Sequence, residues 1–243
     1  MPLVVDPAHF VTIDRQDEVS RIGVEASVLV PDQYTNTPAD VAVRLDVHGQ
    51  YVATNGFGFY GSLPAGYANN ISWGVGVGDA ELGLLYVVHA GDAVTLVPHA
   101  SIVLETGPST AGPIAALQVA SPSRMSDVFE GSRLGEGFRA GLSPLVRAGN
   151  VFARVDLDVY KMRDATFAYV NAGVGVTFGR LAVMAESTNY AYLSDFYLVD
   201  SGALSVRWGG ARVAPYGALV FGLDDGARAE MDVAVTAGAD IAL

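Results

Sequence analysis

The stretch "VAVRLDVHGQYV", residues 41–52, alternates with a two-residue period: Val41, Val43, Leu45 and Val47 fall on one face, Arg44, Asp46, His48 and Gln50 on the other. Successive side chains of a strand point to opposite faces, so this is a β-strand with an aliphatic and an ionisable side. The strand itself leaves open which side meets water. A soluble sheet buries its aliphatic face, whereas a membrane barrel turns that face outward to lipid.

The same pattern recurs to the C-terminus. "RIGVEASVLV" sets Ile22, Val24, Ala26, Val28 and Val30 against Arg21, Glu25 and Ser27. "VFARVDLDVY" sets Val151, Ala153, Val155, Leu157 and Val159 against Arg154, Asp156, Asp158 and Tyr160. "EMDVAVTAGADIAL" sets Met231, Val233, Val235, Ala237, Ala239 and Ile241 against Asp232, Thr236 and Asp240. Helical spacing is not sustained anywhere, and glycine-rich punctuation separates the runs. The chain therefore reads as all-β: a short N-terminal segment, 1–18, and one domain over 19–243.

Connections alternate in size. The tight ones are Asn55-Gly56, "HAGD" at 89–92, "AGN" at 148–150, Gly179-Arg180 and "GGAR" at 209–212, with the Gly or Asn that hairpin turns require. The others are polar and sometimes long, at 31–40, 65–70, 107–133, 163–165, 194–195 and 224–228. Between them lie about twelve strands, an even number. Short turns at one end, longer loops at the other and both termini at the short-turn end describe an up-and-down meander closed into an outer-membrane barrel.

Composition and ring size agree on orientation. Hydrophobic residues make up 51% and charged residues 16%, against roughly 25% charged in soluble domains, so much of the surface faces something other than water. A ring of about twelve strands is also too wide for Val and Ala to fill, since about eight already give an interior that side chains just fill. Turned outward, the aliphatic face meets lipid and the ionisable face lines the lumen. The competing reading is a soluble β-sandwich with the aliphatic faces inward. Tyr190, Tyr192, Phe196 and Tyr197 at a loop end, and Trp208 at a short-turn end, fit aromatic girdles at the two interfaces.

A net charge of −12 excludes nucleic acid as the main ligand, because phosphate neutralisation needs clustered Lys and Arg. The absence of cysteine removes thiol chemistry and disulfides and is compatible with export. No run of about 18 apolar residues offers a helical span. Residues 1–20 lack the basic start, apolar middle and cleavage site of a secretory signal. With the barrel reading, the chain is expected to be a mature bacterial outer-membrane protein whose export signal is not part of this sequence.

The run "GVGDAELGLLYVV", residues 76–88, resembles the Gly-Asp-x-x-Leu-Gly-x-x-Tyr strand of outer-membrane transporters linked to phenol degradation, distant relatives of the fatty-acid and aromatic-hydrocarbon transporters. "LGEGFRAGLSPLVRAGNVFARVDLDVY", residues 134–160, is similar to a later hairpin of that group. The resemblance implies a β-barrel that moves small molecules across the outer membrane. Two features depart from the wider family: only about 18 residues precede the first strand where the fatty-acid transporters carry a substantial hatch, and the chain ends on Leu243 rather than an aromatic.

Three functions follow. The first is a channel or transporter whose narrow lumen is lined by Arg44, Asp46, His48, His99, Glu105, Arg139, Arg147, Arg154, Asp156, Asp158, Glu186, Arg207, Asp232 and Asp240. Arg139, Arg147 and Arg154 lie on one hairpin, so their charges should neighbour each other. Unpaired rows would select ions or polar solutes, whereas cross-strand pairs would shut the ring. The second is a closed barrel whose long loop, 107–133, binds a partner or surface ligand. The third is a lipid hydrolase using His99 and Ser101, two apart on one strand face and similar in spacing to the His-x-Ser of outer-membrane phospholipases; lumen lining is the better reading of that pair, so no enzyme is expected. Asp224-Asp225 reads as a solvated turn. His48, His89 and His99 with Asp46 or Glu81 show no compelling metal spacing, so no metal or cofactor is expected. The expected partners are the lipid bilayer and a small-molecule solute, with the barrel itself a monomer because closure leaves no sheet edge.

Overall fold

A computed structural model describes residues 8–13, 16–30, 39–71, 74–127, 136–193, 197–210 and 212–243. Residues 1–7, positions 31–38 of the first loop, positions 128–133 of the long loop, the 194–195 connection and Phe196 lie outside the described residues, as does the Tyr197 side chain.

Fourteen strand segments are described: β1 Arg21–Val30, β2 Ala42–Val52, β3 Phe57–Ala68, β4 Val75–Val77, β5 Ala80–Tyr86, β6 Val88–His89, β7 Val94–Leu104, β8 Gly137–Ala148, β9 Val151–Met162, β10 Thr166–Phe178, β11 Leu181–Tyr192, β12 Tyr197–Trp208, β13 Val213–Gly222 and β14 Val233–Ala242. Segments β4, β5 and β6 are successive pieces of one stave between β3 and β7. The result is a closed antiparallel barrel of 12 strands. Closure runs through β1 and β14, paired from Arg21↔Ala242 to Val30↔Val233, so the sheet has no free edge there. Each short turn after β2, β6, β8 and β10 contains a glycine in the left-handed region: Gly56, Gly91, Gly149 and Gly179, with φ of 83°, 82°, 62° and 64°.

The aliphatic face points outward all round the ring. Leu45 is 52% and Val47 54% exposed, while their chain neighbours Arg44 and Asp46 are each at 2%. Exposed Tyr51, Phe57, Phe59, Tyr86, Phe178 and Trp208 gather at the short-turn end, where an aromatic girdle belongs. Tyr190 is a correction: it shares parity with Glu186, points inward, and joins Tyr160, Phe167, Tyr169, Met125 and Met162 in a buried cluster inside the loop end. Met231 is another, because it precedes β14, escapes the alternation and is fully buried. No described helix is long and apolar enough to cross a membrane.

Two elements enter the ring. From the short-turn end comes the N-terminal segment, whose residues 8–13 are all buried. From the other end comes the β7–β8 loop, which forms helix α1, Ala111–Ala120, and then two single 3-10 turns, Ser121–Ser123 and Met125–Asp127. Helix α1 lies against β3 and β4, where Gly66 and Gly76 make room. A Cβ on Gly66 would sit 3.0 Å from the Leu117 Cα, and one on Gly76 2.7 Å from the Pro113 carbonyl oxygen. A further short helix, α2, Asp225–Glu230, is N-capped by Asp224 and adds Ala227 to the aromatic cluster.

Candidate functional site: the filled lumen

Strand parity alone places most of the expected lining. Arg44, Asp46, His48, His99, Arg139, Arg154, Asp156, Asp158, Glu186, Arg207 and Asp240 all point inward and are at most 7% exposed. Arg147 lies half-buried at the short-turn mouth, 2.9 Å from Glu18. Glu105 and Asp232 do not belong to the lining. Strand β7 ends at Leu104 and β14 begins at Val233, so the alternation stops before reaching them and both are exposed.

The interior charges are paired, the Asp240 and Asp158 sets across strands and Arg44–Asp46 and Arg154–Asp156 along a single strand. Near the short-turn end Asp240 receives the His48 Nε2 at 2.9 Å and the Arg207 guanidinium, with Arg21 at 3.6 Å. Arg21 also pairs with Asp17 at 2.8 Å, and Asp17 with His9 at 2.9 Å. Higher up, Arg44 forks onto Asp46 at 2.8 and 2.9 Å, Arg154 meets Asp156 at 2.5 Å, and Asp158 takes both Arg139 at 3.1 Å and His99 at 2.6 Å. The expected neighbouring row of Arg139, Arg147 and Arg154 does not form. Arg154 stands opposite Leu145, beside Arg147, but Arg139 is opposite Tyr160 at the far end of β8, and each of the three has its own carboxylate. Paired, hydrogen-bonded charges are the form in which a desolvated interior tolerates ions.

Much of the rest of this bonding goes to the two inserted elements. Arg44 donates to the carbonyls of Ser121 and Asp127 at 3.3 and 3.4 Å, and Arg139 to that of Ser126 at 3.3 Å. Gln50 donates to the carbonyls of Asp17 and Val19, each at 2.8 Å. The N-terminal segment is held most closely at Val11–Ile13. The amides of Val11, Thr12 and Ile13 donate to the Glu186 carboxylate at 3.0, 2.7 and 3.2 Å, the Thr12 hydroxyl adds a bond at 3.0 Å, and Ser205 donates to the same carboxylate. On the opposite edge, Arg124 of the loop donates to the Val11 and Ile13 carbonyls at 2.6 and 3.0 Å, and Ser126 to that of Thr12 at 3.0 Å. Phe10 packs against Phe152 with the rings tilted by 56° and centroids 5.1 Å apart, in the space left by Gly173, where a Cβ would lie 2.4 Å from the Phe10 ring.

Burial works against the charge of Arg124, but Glu25 and Asp127 outweigh it and hold the guanidinium proton above the ordinary arginine range. A cavity of about 20 Å³, lined by Gln16, Arg21, His48, Gln50, Tyr60 and Glu81 among others, remains beside the plug. That is room for about one water.

Arg124 had one sequence signal: it is the single charge in residues 107–126. The described part of the long loop turns inward, so residues 116–127 are not an outward binding surface; within them only Gln118 is exposed. His99 and Ser101 do not assemble a nucleophile. The Ser101 hydroxyl donates to Glu81 at 2.5 Å, while the His99 nitrogens meet Asp158 and the Val97 carbonyl. Among the described residues no three His, Asp or Glu side chains converge as a metal site.

No family model and no curated protein matches the sequence. Solved structures do resemble the fold. The KdgM porin, in complex with disordered oligogalacturonate, superposes with a TM-score of 0.58 at 13% identity, over 93% of this chain and 99% of that one. An outer membrane channel from Pseudomonas putida F1 gives 0.59 at 13% identity, over 98% and 100%. Outer membrane phospholipase A from Escherichia coli gives 0.51 at 8% identity, over 98% of each chain. At such identities the likeness is one of fold, shared by outer-membrane channels and by an enzyme.

Proposed function

We propose that this chain is an outer-membrane channel for small polar solutes, closed at rest by its own N-terminal segment and β7–β8 loop and opened when they withdraw. The observation that carries this reading is the way Val11–Ile13 is held. Its main chain is bonded on both edges by side chains, while the ring closes through β1 and β14 without it. None of these bonds belongs to the strand ladder, so the segment can leave without dismantling the wall once water enters to take up the bonds it gives up. The inward ionic face then becomes the lining of a wet passage, and the outward aliphatic face keeps the ring in lipid. The barrel acts as a monomer in the bacterial outer membrane, since closure leaves no edge in need of a partner. The phospholipase likeness adds no enzymatic reading, because Ser101 bonds Glu81 rather than His99.

Planar-bilayer recording tests the proposal. The unaltered protein is expected to open rarely, and Glu186→Gln to raise open time by roughly tenfold, because a hydrogen bond to a charged group contributes about 1.5–3 kcal/mol. Silence of the wild type, of Glu186→Gln and of a folded chain lacking residues 1–13 would overturn the channel reading in favour of a permanently closed barrel.

A further inference from the structure

The grip on Val11–Ile13 is almost wholly a grip on main chain. All six backbone polar groups of the tripeptide are taken: three amides by Glu186, and three carbonyls by Arg124 and Ser126. The Thr12 hydroxyl is the one side-chain hydrogen bond from the tripeptide to this cradle. Selectivity beyond the backbone lies one residue earlier, where Phe10 fills the slot between Phe152 and Gly173. Glu186 and Arg124 are 5% and 1% exposed, so both edges of the cradle are desolvated, where hydrogen bonds to ions count most.

From this geometry we infer that the lumen contains a peptide-recognition site, filled at rest by residues 10–13 of the same chain, and that its ligands are short linear peptides with an aromatic residue followed by three residues bearing free amides. Glu186 accepts the N–H groups, Arg124 and Ser126 donate to the carbonyls, and the Phe152–Gly173 slot takes the ring. Recognition of this kind ignores most side chains and rejects molecules without a row of N–H donors. The N-terminal segment thus acts as a tethered competitor whose high effective concentration keeps the site occupied until peptide accumulates. That peptides also pass through the barrel rests on the channel reading; that they bind does not.

The test uses the full chain. Because the sequence has no cysteine, Ala8→Cys provides a unique thiol on a buried position of the segment. Phe10→Ala in the same chain weakens the tether's hold without altering the cradle. The probe is the blocked tetrapeptide Phe-Val-Thr-Ile, and the readout is the rate at which a water-soluble maleimide modifies the thiol in detergent. Millimolar peptide is expected to speed modification several-fold. The same peptide N-methylated at Val, Thr and Ile is expected to do nothing, while a peptide that keeps Phe but replaces the other three by Ala retains most of the effect. No acceleration, or equal acceleration by the N-methylated peptide, would overturn the inference. Acceleration without conductance in the bilayer experiment would leave the peptide site standing and remove the channel.

Discussion

Leu45 and Asp46 are joined by one peptide bond and live in opposite media. Leu45 belongs to an outer wall on which any aliphatic residue serves, since lipid asks only for apolar surface. Asp46 belongs to an inner wall on which the neighbouring groups matter: its carboxylate matches the fork of Arg44, which in turn holds the loop carbonyls of Ser121 and Asp127. The outer wall is specified by residue class and the inner wall by residue pairing. Substitutions should therefore be judged by class outside and by partner inside.

The largest expected effect is on the inner wall. Asp240→Ala leaves Arg21, His48 and Arg207 without their shared carboxylate, and breaking a buried ion pair from one side costs about 3–5 kcal/mol. Urea unfolding in lipid vesicles measures it. A loss below about 1 kcal/mol would mean that water already replaces these partners, making the inner wall as permissive as the outer.

Val47→Arg comes next, as an offence against class rather than partnership. Val47 is exposed near the middle of β2, and a cation near the bilayer midplane costs roughly 2–4 kcal/mol. Folding yield into vesicles should fall accordingly, whereas equal folding in lipid and in lipid-free buffer would count against a lipid-facing belt.

A third change separates wall from plug. Gly66→Ala pushes a methyl group against the backbone of α1, an overpacking that costs about 1–3 kcal/mol if the helix stays in place. A movable loop shifts instead, so conductance is expected to rise while the urea midpoint moves little. A lowered midpoint with unchanged conductance would make α1 part of the permanent structure.

Acid should loosen the other plug. Burial raises the pKa of Asp17, but Arg21 and His9 outweigh it, so the folded value lies below the ordinary carboxylate range. A lowered folded pKa means that this contribution to docking is complete above the unfolded value of about 3.9 and is lost as pH falls below it. In the Ala8→Cys chain, the Asp17 share of the thiol's protection should then hold down to about pH 4 and decline below that. Comparison with Asp17→Asn, which removes that share at every pH, isolates it; identical acid profiles for the two would remove Asp17 from the docking.

The smallest effect belongs to the outer wall again. Val155→Leu enlarges a side chain that lipid surrounds, and the change in stability should stay within about 0.5 kcal/mol. A loss of about 1–3 kcal/mol would indicate a close-packed neighbour at that position.

The strands, their orientation and the short-turn end were legible because a two-residue period survives in one dimension. Parity along β2 or β9 assigns each side chain to a face, and four positive-φ glycines mark tight turns that Asn55-Gly56 and its counterparts announce. Parity failed where strands stop, at Glu105, Asp232 and Met231; at Tyr190 parity holds, and it is the girdle reading of a loop-end aromatic that fails, because the ring lies on the inward face. It was silent on the plug, because Phe10, Val11 and Ile13 follow no period and are bound through their main chain, which every sequence shares.

By itself, then, the sequence determined a twelve-strand ring with lipid outside and charge inside, since alternation, loop lengths and the even strand count are local quantities that add along the chain. Only the tertiary structure decided that the lumen is filled and by what. That outcome depends on Glu186, Arg124 and Ser126 meeting three residues more than a hundred positions away in sequence, a convergence set by the register and closure of the whole ring rather than by any stretch of it.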